Sequence, residues 1–86
     1  MPEISRFLGI VIRMYRDAHP PPHFHAIYGE FSAQISIHSP AIIRGQLPPR
    51  VLGFVTEWAV LHEAELQRNW QAAQTDGRVE KIAPLI

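Results

Sequence analysis

The sequence predicts an α+β fold: a small antiparallel sheet of three or four strands, covered on one face by a long C-terminal helix. Two features of the chain predict it. The first half alternates short runs of β-branched and aromatic residues with Pro and Gly turns, and the second half carries one apolar repeat of helical period. No repeat, low-complexity tract or linker divides the 86 residues, so residues 1–86 read as one domain, with strands within 7–45, a helix over about 49–74 and an apolar tail over 78–86.

Phe7 to Tyr15 (FLGIVIRMY) reads as the first strand. Asp17 to Pro22 is a connection, because consecutive prolines suit neither a helix interior nor a central strand. His23 to Tyr28 forms the second strand, Gly29-Glu30 a turn, and Phe31 to Ile37 the returning third strand. Ala41 to Arg44, after a Ser39-Pro40 turn, is a short fourth. Side chains alternate along a strand, so Phe24, Ala26 and Tyr28 share one face and His23, His25 and Ile27 the other. If the Phe24 face is the core, the histidines open to solvent or a cleft; if Ile27 points inward, they lie under the helix.

Pro48-Pro49 sets the helix start, and Asp76-Gly77 follows its end near Gln74. At about 100° per residue, Val51, Val55, Trp58, Ala59, Leu61, Leu66, Trp70 and Ala73 make one apolar arc. His62, Glu65 and Asn69 interrupt that arc. An unpaired buried polar group costs about 1–3 kcal/mol, so each needs a partner. They either hydrogen-bond the helix to the sheet or to the incoming tail, or they face the histidine cluster across a cleft, where Glu65 orients an imidazole.

That cluster is the most informative feature. His19-Pro20-Pro21-Pro22-His23-Phe24-His25 places three of the five histidines within seven residues, two of them on one strand face. His23 and His25 with His19 make a candidate site for a divalent metal such as zinc or nickel. Alternatively His23 and His25 act as base and acid of a metal-independent endoribonuclease, with Arg13 or Arg16 as the cation and Tyr15 or Tyr28 as a donor. Cysteine is absent, which removes thiolate sites and disulfides. No glycine-rich phosphate loop and no Ser-His-Asp arrangement is recognisable.

Formal net charge is zero, so the chain is not a generic polyanion binder. Residues 1–50 nevertheless carry five arginines against three acids, and residues 51–86 three basic residues against five acids, which leaves the N-terminal half weakly basic and open to RNA. No apolar run approaches the ~18 residues of a membrane span, and the first residues lack a signal peptide's apolar region. A cytoplasmic protein with no membrane contact is expected. Val79, Ile82, Leu85 and Ile86 are poorly served by solvent; they fold back on the helix, add a strand, or dock into a second copy to give a homodimer, or into a partner protein.

Six segments of the chain resemble the small bacterial family catalogued as "domain of unknown function 4160". They are Met1-Pro2-Glu3-Ile4-Ser5-Arg6-Phe7, Gly9 to Tyr15, His19 to His25, Tyr28-Gly29-Glu30, the helix pattern Glu57-Trp58, Leu61-His62, Glu65-Leu66, Asn69-Trp70, and Lys81 to Leu85. Members of that family are often encoded beside another small family, "domain of unknown function 2442", in an arrangement similar to toxin–antitoxin operons. The resemblance implies a toxin-like component of a two-gene module with a small antitoxin-like protein partner. The alternative is a non-catalytic module that binds a metal or a protein.

Overall fold

The computed structural model describes residues 2–16 and 18–86; Asp17, the first residue of the expected proline-rich connection, and Met1 lie outside the described residues. Five strands, β1 (Glu3–Phe7), β2 (Ile10–Arg13), β3 (His23–Tyr28), β4 (Phe31–Ser36) and β5 (Ile42–Gln46), precede two helices, α1 (Pro49–Leu61) and α2 (Glu63–Thr75). The strands form one antiparallel meander in the order β1-β2-β3-β4-β5. The fold class is therefore α+β as expected, with two corrections.

The first correction is strand number. The expected strand Phe7 to Tyr15 is a hairpin: Phe7 pairs with Ile10, and Leu8 and Gly9 between them both have positive φ, 51° and 77°. A two-residue turn with both φ values positive matches the right-handed twist of its flanking strands. Gly9 takes that conformation without penalty, whereas Leu8 pays for its Cβ. Leu8 is exposed, so Leu8→Asn removes strain without costing core packing. It is expected to raise stability by about 0.5–1 kcal/mol, read as a shifted midpoint in urea. An unchanged or lowered midpoint would contradict this account of the turn.

Upstream, an irregularity between Glu3 and Ser5 turns both Ile4 and Ser5 inward. Ile4 joins the core, while the Ser5 hydroxyl is buried without a hydrogen-bond partner among the described residues. The fourth expected strand is β5, displaced by one to two residues from Ala41 to Arg44. Gly45 accounts for its course: φ is +85°, and a Cβ there would meet the Ser32 carbonyl oxygen at 2.2 Å.

The second correction concerns the helix, which is broken at His62 (φ −118°, ψ 26°). Neither Pro nor Gly marks the break. The His62 N–H is shared between the Trp58 and Ala59 carbonyls, and its Nδ1–H donates to Glu65 Oε1 at 2.6 Å. Glu63 and Glu65 occupy the first turn of α2, where carboxylates complement the helix dipole. The apolar stripe stays in phase across the break: Val51, Val55, Trp58 and Ala59 are buried on α1, and Leu66, Trp70 and Ala73 on α2. Leu61, expected in that stripe, is 66% exposed; its angular position falls outside the arc of its neighbours.

The core lies between the helices and the sheet face made by Ile10, Ile12, Phe24, Ala26, Ala33 and Ile35. Trp58 is its centre, with ring centroids 5.6 Å from Phe7 and 5.7 Å, edge-on, from Phe24. The tail folds back over this layer. Ile82 is buried and its N–H donates to the Ile4 carbonyl at 2.7 Å, so the tail reaches the outer side of β1. The Trp58 indole N–H donates to the Ala83 carbonyl at 2.8 Å. Asn69 brackets the Glu80 backbone, donating to its carbonyl at 2.8 Å and accepting from its N–H at 2.9 Å. Among the expected fates of the tail, the structure shows the return to the helix.

Candidate functional site

Because Phe24 and Ala26 point into the core, His23 and His25 project from the opposite face of β3. That outer face forms the floor of an open cleft of about 480 Å³, walled on one side by the loop carrying Ala18, His19, Pro20 and Pro21 and on the other by Ile43 and Arg44 of β5. No residue of α1 or α2 lines the cleft, although Trp70 of α2 reaches the His23 ring at its edge. Tyr15 and Gln34 complete the lining. Pro22 leads into β3, and Gln74 of α2 donates its side-chain N–H to the Ala18 carbonyl at 3.1 Å, tying the loop to the helix layer.

The two imidazoles are held differently. His23 is buried; its ring centroid is 5.3 Å from those of both His25 and Trp70. Its Nδ1–H donates to the Pro21 carbonyl at 2.8 Å. A carbonyl can only accept, so Nδ1 carries a proton and Nε2 is the nitrogen left for chemistry. His25 is half-buried and meets the Tyr15 ring edge-on at 4.3 Å. Burial first, and the neighbouring His23 second, push its pKa down to about 4. At neutral pH His25 is therefore an uncharged ring with a lone pair.

Of the residues expected to share a site, the cleft brings together Tyr15, His19, His23 and His25. Arg13 stands directly across from His25 in the β2–β3 register and so projects from the same face. The rest lie elsewhere. Arg16 packs its side chain against Gly77, and Tyr28 lies over Gly9 at the far end of β3. His62, Glu65 and Asn69 do not face the histidine pair. His62 bonds to Glu65 and packs its ring 5.6 Å from Trp58, and Asn69 is committed to the tail. Of the two readings of those helix residues, the hydrogen-bonded one describes their geometry.

Gln34, Ile43 and Arg44 were not singled out from the sequence. Gln34 and Arg44 are register partners, and Gln34 pairs with His25 in turn. Their signal was the alternation of β4, which sets Gln34 and Ser36 on the face opposite Ala33 and Ile35. Among the described residues no group of three or more His, Asp or Glu side chains could hold a metal ion. His19, His23 and His25 are not gathered into such a group. What the cleft offers is acid–base and anion-binding chemistry: two adjacent imidazoles, a phenol, an amide and a guanidinium.

No helix among the described residues is long and apolar enough to cross a membrane. No curated protein and no solved structure matches the chain. One family model does, over residues 9–71, a span that takes in β2 to β5, the proline–histidine loop, all of α1 and most of α2. The chain belongs to the family described as domain of unknown function (DUF4160).

Proposed function

We propose that this protein is the toxin-like component of a two-protein module and that it cleaves RNA, without a metal, in the histidine cleft. The observation that supports this reading most is the pairing of two imidazoles in different states of preparation. His23 is oriented through Nδ1 by the Pro21 carbonyl, and beside it His25 is kept neutral by burial.

The chemistry follows from that asymmetry. Neutral His25 takes the proton of a ribose 2′-hydroxyl, and the oxygen attacks the adjacent phosphorus. The bond from phosphorus to the 5′ oxygen breaks, leaving a 2′,3′-cyclic phosphate. The acid role falls to the form of His23 that carries a proton on Nε2; braced by Pro21, it gives that proton to the departing 5′ oxygen, so the step ends with His25 protonated and His23 neutral, and proton exchange with solvent restores the pair. The amide of Gln34 supplies a donor for the charge that develops on the phosphoryl oxygens, and the guanidinium of Arg44 adds a positive charge one strand further on. Tyr15 holds the His25 ring.

The test compares the wild type with His25→Gln, both checked for fold by circular dichroism. Growth arrest on induced expression, together with cleavage of bulk RNA by the purified protein in the presence of a chelator, is expected for the wild type alone. Equal cleavage by both proteins, or none by the wild type, would overturn the assignment.

A further inference from the structure

The sheet register sets charged and polar side chains at regular intervals beside His25. Arg13 on β2 pairs with His25 on β3, His25 with Gln34 on β4, and Gln34 with Arg44 on β5. Directly opposed residues project from one face, so these four make a single row running across the strands on the outer surface. With strands about 4.8 Å apart, the three intervals separate the Arg13 and Arg44 backbones by about 14 Å, with His25 and Gln34 between. Neither arginine has an ion-pair partner among the described residues. Glu3, opposite Arg13 on β1, is engaged by Arg6 at 2.7 Å, and among the described residues no acid lines the cleft at Arg44.

We propose that this row is a track for a single-stranded polynucleotide lying across the strands. One backbone phosphate sits at Arg13, one at Arg44, and a third between them above His25 and Gln34. The 14 Å span corresponds to two successive repeats of an extended nucleic-acid backbone. The substrate class is then single-stranded RNA engaged through three consecutive phosphates and cut at the middle one, within the chain and not at its end. The neighbouring row on the same face runs Arg6, Val11, Ile27, Ser32 and Gln46, which offers bases an apolar centre at Val11 and Ile27 with polar groups at its margins. The identity of the strand as RNA rests on the cleavage reading above; the track itself does not.

Binding can be measured apart from cleavage with oligodeoxythymidylates, which lack the 2′-hydroxyl that the cleavage needs. Fluorescence anisotropy of the full chain with labelled oligomers of two to eight nucleotides is expected to show affinity rising to the tetranucleotide, the first with three internucleotide phosphates, and little beyond. The slope of log K against log salt should be about −1.4, and Arg13→Gln or Arg44→Gln should each reduce it by about 0.7. Arg44→Lys, which keeps the charge, should leave the slope intact. Absence of binding at every length, an unchanged slope in both glutamine variants, or equal affinity for a duplex would overturn the track. Binding with this signature but without RNA cleavage would uphold the track and remove the catalytic reading alone.

Discussion

Trp58→Ala is expected to destabilise the protein by about 3–5 kcal/mol, most of what a domain of this size has to lose. Trp58 is fully buried and carries α1 onto the sheet, against Phe7 of β1 and Phe24 of β3. Its indole N–H also holds the Ala83 carbonyl of the returning tail. Alanine would open a cavity at the centre of the sheet–helix interface and leave the tail short of an anchor. Trp58→Phe separates these effects: it keeps much of the apolar volume and loses the hydrogen bond, worth about 0.5–1.5 kcal/mol net, together with the lesser volume of the ring. Chemical denaturation of both variants decides the matter. A loss under about 1 kcal/mol for Trp58→Ala would show that the core does not turn on this residue.

The second large effect is expected at His25. Its pKa lies at about 4 in the folded chain against 6.5 for an unperturbed imidazole. Between these values the unfolded chain binds the proton and the folded chain does not. Stability is therefore unaffected by this group above pH 6.5, falls as pH drops from 6.5 towards 4, and loses nothing further below that. Solvent screening of a half-open ring reduces the loss to about 1–2 kcal/mol. The difference between wild type and His25→Gln, measured at pH 7 and pH 4, isolates this contribution from the carboxylates that titrate alongside it. Equal acid sensitivity of the two proteins would refute the burial account of His25.

The same group sets an expectation for cleavage. A base already neutral at pH 5 keeps working there, so kcat/KM should fall on the acid side only near pH 4. Removing the base in His25→Gln should cost about 10²–10⁴-fold. An acid limb centred near pH 6.5 would mean that another group takes the proton.

Much of the β3–β4 region was legible in the sequence, because the alternation of Phe24, Ala26, Ala33 and Ile35 agrees with the Gly29-Glu30 turn between them. The β1–β2 hairpin was not. Its first turn position is filled by Leu8, a residue with no preference for positive φ, and Gly9 alone inside an apolar run resembles an interruption more than a reversal. The break at His62 was hidden for a related reason: the apolar stripe keeps its phase, so periodicity runs through it unchanged. The demand for partners at His62, Glu65 and Asn69 could be read from the sequence, but the identity of those partners could not. Asn69 binds backbone eleven residues away, which no local pattern encodes. The histidines of the cleft were visible as a cluster, whereas Arg44 joins them only through two successive strand registers.

The two margins of the sheet are unequal. The outer side of β1 receives the tail through Ile82, while β5 closes the strand order with most of its residues exposed. Open-ended polymerisation by strand addition requires each copy to offer two unsatisfied margins, one to give and one to receive. A chain with a single such margin can join one neighbour and no more. Growth through the β1 margin would first have to displace the tail where Ile82 holds the Ile4 carbonyl.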